Sequence, residues 1–532
     1  TFILALAVTM ALIPPLMELA TRLSLVDVPD ERKVHSTVVP RVGGIAMVIG
    51  VIVPLVLWLP LQAELVGLLA ALTVILLFGA WDDSKDLDYR IKFAGQFLAA
   101  GIAVFIGGIK ISVLPFLGLE PVSDYIAAPL TIVFLVGVTN AINLSDGLDG
   151  LAAGIALLSA CAIGLLAYMG NGMNTVLICF AISGVIFGFL RFNTFPARLF
   201  MGDTGSQFLG FMLGALSILL TQKTNTALNP LLPLFLLGVP IVDTAIVMLR
   251  RLREGRSPFS PDKGHIHHRL LALGMAHYEA VAVIYLAQMI FIGAALLLRY
   301  EADLVVFGVY VGLFAAIVMA FAFASASGWQ VRRDQIAERA PLSAKRRWLE
   351  WLPIEVLKFG IPLYLLGGTM AAGKIPTDLK LSALMLLVIL SARLIWADRL
   401  RFLPLRVLIF SATAFAVYLI NYDAHALSMI PFGVRVGMFV LLLLLLVLAV
   451  RFAQKGVFQT TPTDLLVIAL AGGIGVMYEY NILDDQLAPM MVELIGLFYA
   501  GEIVMRQMRK VWNSFTIGML LVLLAIAGRL VI

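Results

Sequence analysis

PLTIVFLVGVTNAINLSDGLDGLAAGIALLSACAIGLLAYM, residues 129–169, decides the fold. Two apolar runs flank one short polar turn, NAINLSDGLDG (140–150). A helix crossing a bilayer needs about 20 predominantly apolar residues, and the spans 126–143 and 150–169 on either side come close to that length. Barrel strands would alternate apolar and polar side chains, which runs such as VLLLLLLVLAV (440–450) do not. The pattern recurs along all 532 residues, which are 61% hydrophobic and 13% charged. Soluble domains carry about 25% charged residues, so a soluble domain with a single anchor is excluded. The mean hydropathy of +1.00 agrees. The chain reads as an all-α polytopic membrane protein.

Apolar runs predict eleven spans, at 2–20, 43–60, 65–81, 92–107, 126–143, 150–169, 174–190, 206–221, 230–249, 279–298 and 303–325. The first run lacks a basic leader and a small-residue cleavage site, so it reads as a span and not a signal sequence. With the N-terminus outside, the inner loops hold Arg22, Arg32, Lys33, Arg41, Lys85, Arg90, Arg191, Arg198 and the basic cluster 250–269. The outer loops hold little more than Lys110, Lys223 and Arg299. Basic residues concentrate in cytoplasmic loops, which sets this orientation. The formal net charge of +5 follows from that bias and does not signal nucleic-acid binding. Residues 107–125 read as a short outer excursion. Cys161 and Cys179 lie inside apolar runs and suggest neither a disulfide framework nor a thiol metal site.

Three regions follow: 1–326 carrying the polar motifs, a basic amphipathic connector at 327–353, and a C-terminal extension at 354–532. The extension holds about seven further runs, at 354–372, 379–396, 404–421, 430–450, 463–480, 487–504 and 513–530. It repeats none of the first region's motifs. Its acidic pair Asp484-Asp485 falls on the opposite face and reads as an exterior loop.

Five inner-loop motifs carry the chemistry. LVDVPDERKVHSTVVPRVGG (25–44) mixes acids and bases and by itself could be a membrane anchor. GAWDDSKDLDYR (79–90) ends a span in adjacent carboxylates, Asp82 and Asp83, which need a cation or a Lys beside them. In NAINLSDGLDG, the spacing of Asn140, Asn143 and Asp146 puts them on one helix face. Their oxygens are the ligand type Mg²⁺ prefers. In RLFMGDTGS (198–206), Asp203 opens a helix whose N-terminus favours phosphate, although a capping role would also suit it. HIHHRLLALG (265–274) gathers three of the six histidines among Arg and Lys. Zinc lacks further partners here, and His with Arg suits a diphosphate. Acids at membrane boundaries are functional candidates, and these share one face.

These blocks resemble, in order, those of the polyprenyl-phosphate N-acetylhexosamine-1-phosphate transferases. That family includes the phospho-MurNAc-pentapeptide translocase and the GlcNAc-1-phosphate transferases that initiate O-antigen and other envelope polysaccharides. The resemblance covers residues 1 to about 325, and NAINLSDGLDG and FMGDTGS are its most specific blocks. The first loop and the histidine loop are similar to the GlcNAc-1-phosphate branch. Ile266 stands where the pentapeptide branch carries a histidine triplet.

The resemblance implies eleven spans and a site on the cytoplasmic face of a bacterial inner membrane. It implies a UDP-N-acetylhexosamine donor, undecaprenyl phosphate as acceptor, and Mg²⁺, with Mn²⁺ as an alternative. The products are undecaprenyl-diphosphate-sugar and UMP, and the assembly is a homodimer. Asp203 and Asn143 are implied at the metal. Asp82, Asp83 and Asp146 are implied as catalytic, with Asp83 favoured beside the acceptor phosphate. Lys92, Gln96, Asn140, Asp149, His265, His267, His268 and Arg269 are implied at the substrates. Alternatives are a MurNAc-pentapeptide or other UDP-HexNAc donor and, more distantly, an ion-coupled transporter. A transporter would place its acids near the bilayer midplane.

Overall fold

The computed structural model describes residues 1–27, 38–118, 120–257, 264–327, 330–331, 348, 351–396, 405–452, 474, 478, 486–506 and 513–528. These fall into two compact units, one within Thr1–Ile336 and one within Ala337–Ile532. Asp30, Arg32, Lys33 and His35, most of the connector 327–353, most of the expected run 463–480, and Asp484-Asp485 lie outside the described residues.

The first unit opens with α1 (Phe2–Ala20), α2 (Gly43–Trp58), α3 (Ala63–Lys85), α4 (Tyr89–Phe105) and α5 (Asp124–Ser145). It continues with α6 (Leu151–Met169), α7 (Met173–Asn193) and α8 (Gly202–Leu219), which a π-turn extends through Thr224. Then come α9 (Leu232–Leu236), α10 (Gly238–Arg253), α11 (Ile266–Ala272), α12 (His277–Leu297) and α13 (Asp303–Ala326). Ten expected spans appear as single helices, and eight of these are at least 18 residues long and apolar enough to cross a bilayer.

The eleventh, 230–249, is broken into α9 and α10. Pro240 has no N–H to give the Leu236 carbonyl, which leaves that carbonyl free at the break. Gln288 of α12 repairs the break: its Nε2 donates to Leu236 O at 2.9 Å, and its Oε1 accepts from Val239 N at 3.0 Å. Freed backbone groups at membrane depth need such a partner.

Every residue of α8 from Thr204 to Leu219 is buried. A helix apolar on all sides belongs at the centre of a bundle. It packs against α2, α3, α5 and α6. Small residues permit the approach: a Cβ at Gly44 would collide with Gly205, and one at Gly79 with Thr204. The chain entering α8 is fixed from α2, because Phe200 O accepts Gly43 N at 3.0 Å and Met201 O accepts Gly44 N at 2.9 Å. A two-residue antiparallel ladder, β1 (Val26–Asp27) with β2 (Val39–Pro40), closes the first loop. In the excursion 107–125, Gln222 Oε1 accepts from Ser112 N and Val113 N at 2.9 and 2.8 Å.

The second unit contains α14 (Leu352–Ala371), α15 (Thr377–Ile395), α16 (Leu405–Tyr422), α17 (Ala424–Met429) and α18 (Phe432–Phe452), then helices Leu487–Arg506 and Ser514–Ala527. Leu357, Ile361, Leu365, Ala412, Phe515 and Met519 centre its core. Asn421 donates to the buried Glu493 at 2.8 Å, and Arg406 pairs with Glu502 at 2.7 Å.

Candidate active site

The motif residues meet at one end of the first unit, at the C-terminal ends of α3 and α5 and the N-terminal ends of α4 and α8. Asp82 and Asp83 are neighbours in α3, so their side chains diverge by about 100°. Asp83 turns to α8. Its Oδ1 accepts from Asp203 N at 2.7 Å, and its Oδ2 accepts from Thr204 N at 3.0 Å and Thr204 Oγ1 at 2.6 Å. A carboxylate from another helix thus satisfies the orphan donors of the first turn of α8. Gly202 makes this possible: its φ is +68°, and a Cβ there would strike the Asp83 carboxylate. Both oxygens of Asp83, expected beside the acceptor phosphate, are therefore occupied by protein.

Asp82 turns to α4. Its Oδ1 accepts from Leu87 N at 2.8 Å, and Lys92 Nζ lies 2.7 Å from its Oδ2. Lys92 also donates to Asp203 Oδ2 at 2.9 Å. Its ammonium therefore bridges the two acids. Asn143 Nδ2 donates to Asp203 Oδ1 and to Ser206 Oγ, both at 2.7 Å. One turn along each helix, Asn140 Nδ2 donates to Gln96 Oε1 at 2.6 Å. The two pairs share a seam because Lys92 and Gln96, four residues apart, lie on one face of α4.

The turn after α5 is held by its backbone. Gly150 N donates to Asn193 Oδ1 at 2.9 Å, and Gly150 O accepts Tyr285 OH at 2.7 Å. Asp149 Oδ2 accepts from Ala197 N at 2.9 Å. Asp146 caps α5 and is half-buried. Loss of water and the nearby carboxylates of Asp203, Asp149 and Asp83 push its carboxyl up to about 7.

The histidine loop reaches this turn. His267 is buried against Gly147, where a Cβ would strike the imidazole. Burial, and then His268, pull its imidazole down to about 4, so it is neutral near pH 7. His265 and His267 stack with centroids 5.9 Å apart, and His267 and His268 lie 4.2 Å apart. Arg269 sits over the Phe321 ring at 5.5 Å.

Three participants were not read from sequence. Thr204 and Ser206 stood only within the FMGDTGS block. Asp243, which binds His265, carried the signal of a single acid in the apolar stretch GVPIVDTAIVM (238–248). From the first loop, Arg41 pairs with Asp27 and reaches Asp86 at 3.4 Å. Among the described residues, no three His, Cys, Asp or Glu side chains converge as a ready metal cluster.

A family model, glycosyl transferase family 4, matches residues 65–221, which span α3 through α8. The chain is 37% identical to a probable undecaprenyl-phosphate N-acetylglucosaminyl 1-phosphate transferase of Bacillus subtilis, across 56% of this chain and 84% of that protein. It is 38% identical to a decaprenyl-phosphate N-acetylglucosaminephosphotransferase of Mycobacterium tuberculosis, across 51% of this chain and 75% of that protein. It is 30% identical to an undecaprenyl-phosphate alpha-N-acetylglucosaminyl 1-phosphate transferase of Escherichia coli K12, across 59% of this chain and 88% of that protein. With the acids, amides and histidines of all the specific motifs assembled at one end of a helical bundle, the chain belongs to glycosyl transferase family 4.

Proposed function

We propose that this protein transfers N-acetylglucosamine-1-phosphate from UDP-GlcNAc to undecaprenyl phosphate and releases UMP. The step starts a cell-envelope polysaccharide. The observation that carries the reading is the Asp82–Lys92–Asp203–Asn143 cluster at the N-terminus of α8, facing the end of a membrane bundle. Acids placed at helix ends, and not at mid-membrane, suit a substrate that meets the lipid at the surface, and they disfavour a transporter. Arg22, Arg41, Arg90 and Arg198 flank the same helix ends, a basic bias that supports a cytoplasmic side for the site.

The donor set fits Mg²⁺. Asp203, Asp82, the Asn143 amide and the Ser206 hydroxyl are hard oxygen ligands, and Mg²⁺ binds through one or two carboxylates with water and phosphate completing its shell. Asp82 Oδ2 is buried beside the Lys92 ammonium and the Asp203 carboxylate, and two acids sharing one ammonium leave negative charge for a second cation. The Asn143 amide would hold the ion through its oxygen, the end opposite the Nδ2 that now donates to Asp203 and Ser206. Mg²⁺ held by these residues would supply charge neutralisation for the transferring diphosphate.

The protein's own groups do the rest. Phosphoryl transfer rests on positioning and charge neutralisation. Lys92 offsets the negative charge that the acceptor phosphate brings. Asp83 fixes the turn that carries Asp203. A lipid phosphate is already ionised near pH 7, since its second pKa is about 6, so no strong base is needed. Oxygen of the lipid phosphate attacks the phosphorus bearing the sugar, and the bond to the UMP oxygen breaks. A single displacement is favoured, because Asp83 would have to leave three hydrogen bonds to act as a nucleophile. Inversion at phosphorus is the expected stereochemistry, and retention would require the two-step path.

UMP release from a panel of UDP-sugars with undecaprenyl phosphate and Mg²⁺ tests the reading. UDP-GlcNAc should be turned over and UDP-MurNAc-pentapeptide should not. Silence with every donor would overturn the assignment.

A further inference from the structure

Asp243 is a buried acid that the transfer described above does not use. It sits on α10 and grips the start of α11 with both oxygens. Its Oδ1 accepts from Ile266 N at 2.8 Å, and its Oδ2 lies 2.9 Å from His265 Nδ1. A capping acid needs only the first contact. With one oxygen pinned on a backbone N–H, the other cannot rotate off the ring. A carboxylate only accepts, so Nδ1 carries the proton and Nε2 is the nitrogen turned over to a ligand. His265 stacks on His267 at an interplanar angle of 10°, and His267 lies against Gly147, between Asn143 and Asp149. A row of groups thus runs from Asp243 to the acidic turn.

We infer that Asp243 is a positioning residue for the transfer, holding His265 so that its Nε2 meets the diphosphate of the sugar nucleotide. The inference rests on the transferase reading. Asp243 touches neither substrate and makes or breaks no covalent bond. Hydrogen bonds to an ionised phosphate oxygen are among the strong ones, and the Asp243 carboxylate fixes the direction in which the ring meets it. Among the described residues, His267 on α11 stacks on this ring, and the Arg250 guanidinium packs against the preceding Gly264. Losing the partner that orients a functional histidine costs about 10- to 100-fold where it has been measured at metal sites.

The test compares wild type, Asp243→Asn, His265→Gln and the double variant in lipid nanodiscs. Asp243→Asn should lower kcat/KM for UDP-GlcNAc by about 10- to 100-fold with KM for undecaprenyl phosphate unchanged. The double variant should be no slower than His265→Gln, because Asp243 acts only through that ring. Histidine side-chain ¹⁵N NMR reads the contact itself. The signal that disappears in His265→Gln should show a protonated Nδ1 in wild type and should move in Asp243→Asn. If Asp243→Asn does not accumulate, Asp243→Ser, which retains an acceptor for Ile266 N, replaces it with the same expectations. Losses that add in the double variant, or an unmoved His265 signal, overturn the inference. Absence of UMP from wild type overturns the transferase reading and this role with it, whereas full wild-type turnover with additive losses overturns the role alone.

Discussion

Asp83 Oδ2 accepts two hydrogen bonds from Thr204, one from its backbone N–H at 3.0 Å and one from its hydroxyl at 2.6 Å. This residue on α3 therefore sets the first turn of α8 and the position of Asp203. Asparagine offers one acceptor where three donors converge. Asp83→Asn should destabilise the fold by about 1–3 kcal/mol, the usual cost of a stranded buried donor. It should also lose most turnover. Asp203→Asn should lose turnover with a much smaller change in melting temperature. Thermal unfolding and UMP release on the two variants separate the roles, and equal melting temperatures would contradict them.

Lys92 Nζ lies 2.7 Å from Asp82 and 2.9 Å from Asp203. Lys92→Gln leaves the two carboxylates facing each other. Added Mg²⁺ should then raise the melting temperature more than it does in wild type. Turnover should fall by about 10²- to 10³-fold, as for loss of a charge-stabilising donor. A Mg²⁺ titration of thermal stability checks this, and identical shifts in both proteins would contradict it.

Asp146 supplies a pH signature. Its carboxyl is raised to about 7 in the fold, against an unfolded value near 3.8. The folded state therefore binds a proton more readily than the unfolded chain does. In Mg²⁺-free protein, stability should rise as pH falls from about 7 toward 4, as far as this group is concerned. His267 opposes it below pH 6.5, because its folded value is lowered to about 4. Asp146→Asn should therefore stabilise the protein more at pH 8 than at pH 5. A gain that does not depend on pH would contradict the burial of this carboxyl beside Asp203, Asp149 and Asp83.

The relatives align over 301 to 325 residues, about the length of the first unit. Residues 1–336 expressed alone should retain UMP release in nanodiscs. Loss of turnover with an intact melting transition would assign the second unit a part in the reaction.

The spans were legible because a buried or lipid-facing helix must be apolar for about 20 residues, and that leaves a local record. The break at 230–249 was less legible, because what permits it is Gln288 on another helix. The site's membership was also local: acids, amides and histidines stood out against apolar flanks. Their division of labour was not. Asp82 and Asp83 are chemically identical neighbours, and only the packing of α4 and α8 sends one to Lys92 and the other to Thr204. Asp243 escaped because its partner, His265, lies 22 residues away beyond a loop.

The most direct measurement uses UDP-GlcNAc labelled with ³²P at the phosphorus that bears the sugar. Purified protein is supplied with undecaprenyl phosphate and Mg²⁺. The label should pass to the lipid fraction, with one unlabelled UMP released for each labelled lipid, and Asp203→Asn should abolish both. Label appearing in the nucleotide or as free phosphate, or transfer that survives Asp203→Asn, would contradict the account.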